Sequence, residues 1–83
     1  MKIEQFHVKN QFTVTDDEGN TFFQSYQSTI VKIERKSGKV FLDREKWDYS
    51  TTTGKYRNLF LGEKKAETEK KIKSGEYILC NLN

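Results

Sequence analysis

The stretch Trp47-Asp48-Tyr49-Ser50-Thr51-Thr52-Thr53-Gly54-Lys55-Tyr56-Arg57-Asn58-Leu59-Phe60-Leu61-Gly62 is where this chain changes character. Upstream of it apolar residues alternate; inside it they recur three and four apart. Ser50 is a good helix N-cap, because its hydroxyl can accept from a backbone N–H one turn ahead. Tyr56, Leu59 and Phe60 then share one helix face, and Gly62 supplies a stop. Gly54 in the first turn, with three threonines beside it, lowers the intrinsic propensity of this helix. Packing must hold it.

Downstream, Glu63 to Lys73 predicts a second, highly charged helix. Glu67–Lys71 and Glu69–Lys73 have the favourable i,i+4 order, contributing a few tenths of a kcal/mol each. Ala66, Glu69 and Ile72 share a face with only two apolar members, so this helix is expected to lie mostly in solvent. Ser74-Gly75 ends it. Tyr77-Ile78-Leu79-Cys80 is apolar enough for a strand covered on both faces, and a strand after two helices most simply rejoins a sheet.

Upstream, Phe6, Val8, Phe12 and Val14 stand at even spacing, the period of one half-buried strand. Asp16-Asp17-Glu18-Gly19-Asn20 turns the chain, with Gly19 or Asn20 able to take positive φ. Thr21-Phe22-Phe23-Gln24-Ser25-Tyr26 returns to complete a hairpin. Thr29, Val31 and Ile33 alternate next, and Ser37-Gly38 turns the chain into Val40-Phe41-Leu42. The polar run Gln24 to Ser28 predicts a bend or bulge. The expectation is one α+β domain over residues 1–83. It has an antiparallel meander of three to four strands, two short helices and a C-terminal strand rejoining the sheet, ββββααβ.

Composition sets the bounds. Hydrophobic residues are only 34% of the chain, but six Phe, four Tyr and one Trp can each bury about 150–250 Å². That is enough for a real core. The single cysteine, Cys80, excludes an internal disulfide and a cysteine-based zinc site. With no signal-peptide-like stretch at the start, this predicts a reducing, cytoplasmic setting. No apolar run exceeds Tyr77 to Cys80, so no membrane span is expected. Net charge is +3, and it is one-sided. Residues 1–50 are neutral, whereas residues 51–83 carry Lys55, Arg57, Lys64, Lys65, Lys70, Lys71 and Lys73 against Glu63, Glu67, Glu69 and Glu76.

Catalytic groups are scarce. His7 is the only histidine and reads as an exposed residue on a strand, out of phase with Phe6 and Val8. Cys80 reads as an inert buried thiol. The acidic tip Asp16, Asp17, Glu18 lacks the alternating ligands of a calcium loop. Asp43, Glu45 and Asp48 are unevenly spaced and form no acid–base pair, and the glycines have no phosphate-loop spacing. No enzyme, metal or cofactor is expected.

The candidate binding residues are Thr51, Thr52, Thr53, Lys55, Tyr56 and Arg57. Hydroxyls and free backbone N–H groups at a helix N-terminus attract anions. Lys55 and Arg57 add charge, and Tyr56 or Tyr49 can stack on a base. The same segment also reads as helix start and packing, with Ser50 capping and Trp47, Tyr49 and Tyr56 holding the helix on the sheet. The lysines at 64, 65, 70, 71 and 73 are interleaved with glutamates and read as a solvated face.

Phe23-Gln24-Ser25-Tyr26, Ile30 to Ile33, Trp47-Asp48-Tyr49-Ser50 with Thr52-Thr53, and Phe60-Leu61-Gly62 together resemble a family of small bacteriophage proteins of unknown function. That family occurs in phages of Gram-positive bacteria, and the similarity spans about residues 22–75. The resemblance implies a virus-encoded accessory protein acting in the cytoplasm of the infected bacterium, and brings no functional residues with it. The expected function is non-catalytic binding, with nucleic acid slightly preferred as the partner. The alternative is inhibition of a host or defence protein, as anti-CRISPR proteins do. A charge of +3 argues against an acidic nucleic-acid mimic. Neither a membrane nor a small-molecule cofactor is expected as a partner, and an exposed edge strand offers a route to a homodimer.

Overall fold

A computed structural model describes residues 1–83. Six strands, Lys2–Gln5 (β1), Gln11–Thr15 (β2), Thr21–Ser25 (β3), Ser28–Ile33 (β4), Val40–Asp43 (β5) and Tyr77–Cys80 (β6), form one sheet in chain order. The first five pair antiparallel as a meander, and β6 pairs parallel with β5. A parallel neighbour needs a crossover, and two helices supply it: Thr51–Leu61 (α1) and Lys65–Ser74 (α2). The α+β class, both helices and the returning strand are as expected. The meander has five strands rather than three or four.

The extra strand comes from the N-terminus. Phe6 to Val14 is not one strand: the chain reverses over residues 6–10, with His7 at φ 66° and Asn10 at φ 71°. Phe6 N donates to Gln11 O at 2.7 Å, closing the turn. Asn tolerates the left-handed region better than most residues. His7 therefore sits in a turn, not on a strand. A second reversal replaces the expected bend: Tyr26, at φ 56°, turns β3 into β4, and a bulge lies at Phe23/Gln24.

Cross-strand partners share a face, which separates the two sides of the sheet. On one side lie Thr13, Phe23, Val31 and Leu42, in register. Both helices cover this side. Phe23, Ile30, Val31, Leu42 and Tyr77 are the buried core, with Phe6, Trp47, Tyr56, Phe60 and Ile72 packed around it. Phe60 stacks on Phe23 at 5.5 Å, and Phe6 meets both rings edge-on at 5.8 and 6.0 Å. Such pairs add about 0.5–1.5 kcal/mol beyond their burial. Leu59, grouped with Tyr56 and Phe60 by spacing, points to solvent instead.

The other side carries a row across all six strands: Ile3, Val14, Phe22, Lys32, Phe41 and Ile78. Lys32 lies between two rings, its Nζ 5.9 Å from Phe22 and 5.8 Å from Phe41. The alternation of Phe12 and Val14 thus marks this open side, while Gln11 and Thr13 point under the helices. Gln11 is fully buried, and neither end of its amide has a hydrogen-bond partner.

Candidate functional site

The α1 N-terminus forms as its sequence dictates. Ser50 has extended backbone, and its Oγ accepts from Thr53 N at 3.1 Å. At the other end Gly62 takes φ 70° and closes the helix by donating to Asn58 O. The side chains between these caps divide sharply between an inner and an outer side.

Thr53 and Arg57 point inward, a correction to the surface role expected of them. Thr53 is fully buried, and its hydroxyl lies 2.8 Å from Ser25 Oγ on β3. Arg57 is only 1% exposed. Its Nη1 donates to Trp47 O and, at 3.1 Å, to Asp48 Oδ1; its Nη2 donates to Asn58 Oδ1 at 3.0 Å. The guanidinium carbon lies 5.1 Å over the Trp47 ring. Nε alone has no partner. A planar fork with several donors is well suited to such an interior post, where a charge must be both paired and hydrogen-bonded.

Asp48 extends this clamp. Its second oxygen takes Lys65 Nζ at 2.6 Å, so one carboxylate joins the pre-helix loop, α1 and the start of α2. Partial burial pushes the Asp48 carboxyl up, but hydrogen bonds and charge from Lys65 and Arg57 outweigh it, leaving the pKa below its ordinary value. Lys65 is correspondingly raised by its hydrogen bond to Asp48.

A second clamp centres on Glu63, whose side chain is 4% exposed. Oε1 accepts from Lys71 Nζ at 2.7 Å and from Tyr77 OH at 2.8 Å, and Oε2 accepts from Thr68 Oγ1 at 2.6 Å. Burial raises the Glu63 carboxyl, and these donors bring it below its ordinary value. The hydrogen bond to Glu63 pushes Lys71 up, while burial followed by the same carboxylate raises Tyr77. Glu63 thereby pins α2 to β6. Sequence reasoning placed it on a solvated helix; its spacing from Thr68 and Lys71 was the only local signal.

Asp43 is committed in the same way. It accepts from the backbone N–H groups of Lys46 at 2.9 Å and Leu82 at 2.8 Å. Burial raises its carboxyl, and these bonds hold it below the ordinary value. His7 packs its ring on Phe6 and Tyr56. Cys80 is free and half-buried at the end of β6. No group of three or more His, Cys, Asp or Glu stands close enough to hold a metal.

What remains available is the outer side of α1. Thr51, Thr52 and Lys55 are exposed, and Tyr56 is half-buried between His7 and the Lys55 ammonium, which lies 5.4 Å from its ring. A shallow groove of about 480 Å³ runs along this flank past Ser50, Thr51, Lys55, Asn58 and Lys65. Tyr49, one residue before the cap, is a freer ring, 44% exposed with Lys46 Nζ 5.0 Å above it. Arrangements of this kind can grip an anion from outside; they hold no nucleophile–base pair.

The fold and these surfaces define a small α+β domain built around two ion-paired clamps, with a basic outer flank. The chain belongs to a family of unknown function (DUF8033), whose model matches residues 1–76. No curated protein and no solved structure matches it.

Proposed function

We propose that this chain is a non-catalytic binding domain that takes nucleic acid by its phosphate backbone, through the outer flank of α1 and the α1–α2 junction. The one-sidedness of its charge supports this reading. Both helices lie on one side of the sheet, and the segment containing them carries the whole positive excess. Arg57, Lys65 and Lys71 are engaged by Asp48 and Glu63, whereas Lys55, Lys64, Lys70 and Lys73 form no ion pair. Lys55, free on the same flank as Thr51, and Lys46, whose Nζ lies 5.0 Å over the Tyr49 ring, suit phosphate contact with stacking on a neighbouring base. In keeping with the resemblance noted above, the domain acts as a phage accessory factor in the host cytoplasm.

Fluorescence-anisotropy titrations against single- and double-stranded DNA and RNA test this. Binding is expected at low salt and should weaken steeply as salt is added. Each phosphate contacted contributes about −0.7 to −0.9 to the log–log slope. Flat titrations with all four ligands at low salt overturn the proposal.

A second reading, inhibition of a host or defence protein, draws support from a different surface. The sheet side opposite the helices presents Val14, Phe22, Phe41 and Ile78 in one row, with Lys32 between the two phenylalanines and no helix over them. A specific host protein retained by the wild type and lost by Phe41→Glu, with nucleic-acid titrations flat, selects this reading over the first.

A further inference from the structure

The sheet ends on an open edge at β1. All four residues of Lys2–Gln5 are exposed, Ile3 to 62%, and the strand contains no proline and no bulge against β2. Its outward N–H and C=O groups form a template for another strand. At the opposite edge, α2 packs against β6.

We infer that β1 pairs antiparallel with β1 of a second copy, about a two-fold axis at Ile3. Backbone geometry restricts the choice of register. Residues directly opposite in an antiparallel pair both turn their hydrogen-bonding groups toward each other or both away. The two-fold must therefore pass at a residue and not between two. At Lys2 it sets lysine against lysine, and at Glu4 glutamate against glutamate; like charges directly opposite are destabilising. At Gln5 it runs into the turn at Phe6. Only at Ile3 does each Lys2 face the partner copy's Glu4.

Within one copy Lys2 Nζ already lies 3.4 Å from Glu4 Oε1, so the pairing completes a four-charge cluster of alternating sign. On the other side of the sheet, Ile3 meets its symmetry mate and the row through Val14 and Phe22 continues across both copies. A two-fold perpendicular to the sheet leaves both helical layers on the same side. This inference goes beyond the binding proposal and does not depend on it.

Sedimentation velocity over a concentration series tests it with four proteins: wild type, Lys2→Glu, Glu4→Lys, and the double exchange. Both side chains are exposed, 73% and 60%, so the fold is unaffected, as far-UV circular dichroism checks. The wild type is expected to show a concentration-dependent dimer. Each single variant sets two like-charge pairs in the interface and weakens it by about tenfold, and the double exchange restores it. A monomeric wild type, single variants that dimerise as well as wild type, or a double exchange no better than the singles each overturns the inference.

Discussion

Arg57 and Lys55 stand two residues apart on one helix and do opposite work. The inner side of α1 holds Thr53, Arg57 and Phe60, each committed to a specific partner in the sheet or the preceding loop. The outer side holds Thr51, Lys55 and Leu59, which are exposed. Positive charge in a sequence therefore carries two meanings. A guanidinium can be satisfied inside by a carbonyl, a carboxylate and an amide at once, whereas an ammonium on a flexible stem is more readily left in water. The inner side makes the fold, and the outer side is left in solvent.

The most forceful way to break this contrast is Arg57→Ala. It removes the guanidinium from Trp47 O, Asp48 and Asn58 and empties the space under the indole. Loss of one partner in a buried pair costs about 3–5 kcal/mol when the other is stranded. Asp48 keeps Lys65 and some solvent, so about 3 kcal/mol is expected, read from urea unfolding midpoints. A loss below about 1 kcal/mol, the level of an exposed ion pair, would place Arg57 with Lys55.

Acid probes the same inner clamps more gently. Asp43, Asp48 and Glu63 all lie below their ordinary values of 3.8, 3.8 and 4.5. The native state thus binds fewer protons than the unfolded chain as pH falls through that range. Their stabilisation is full above about pH 5 and is lost progressively as pH drops through the folded values. Thermal midpoints should be flat from neutral pH to that point and fall below it. In Glu63→Gln the stability at neutral pH starts lower, by about 2 kcal/mol of lost charge-assisted bonding, and the fall of the midpoint in acid is shallower.

Gly54→Ala sharpens the contrast with the opposite sign. A Cβ there would meet Asp48 Oδ1 at 3.6 Å and both Arg57 Nη atoms at 3.7 Å, which is ordinary contact. Replacing a helical glycine is then expected to stabilise by roughly 0.5–1 kcal/mol. A destabilised variant would mean the guanidinium needs that space empty.

Much of this architecture was legible. Ser50, Gly62 and Gly75 mark helix ends as cap chemistry requires, and Ser37-Gly38 marks a hairpin, with Gly38 at φ 71°. Three features were not. Strand β1 has one apolar side chain, Ile3, too few to show a period. The alternation of Phe12 and Val14 revealed a strand but not its face, because Phe22, Phe41 and Ile78 make the open side of the sheet apolar as well. Arg57 goes inside because Trp47 and Asp48, in the loop just before α1, fold back along the helix to meet it two turns in. Spacing along one element cannot show that. Thr51, Thr52 and Lys55 stay exposed on the outer side, where no ion pair within the chain engages them.

The most direct measurement compares Lys55→Glu with wild type in two assays, urea unfolding and salt-dependent titration with single-stranded DNA. Unfolding should shift by less than about 0.5 kcal/mol, as for a surface change. The log–log salt slope should become shallower by about one phosphate contact, with affinity falling at every salt concentration. An unchanged slope and affinity, with wild type bound, would contradict the assignment of the outer flank of α1 as the contact surface.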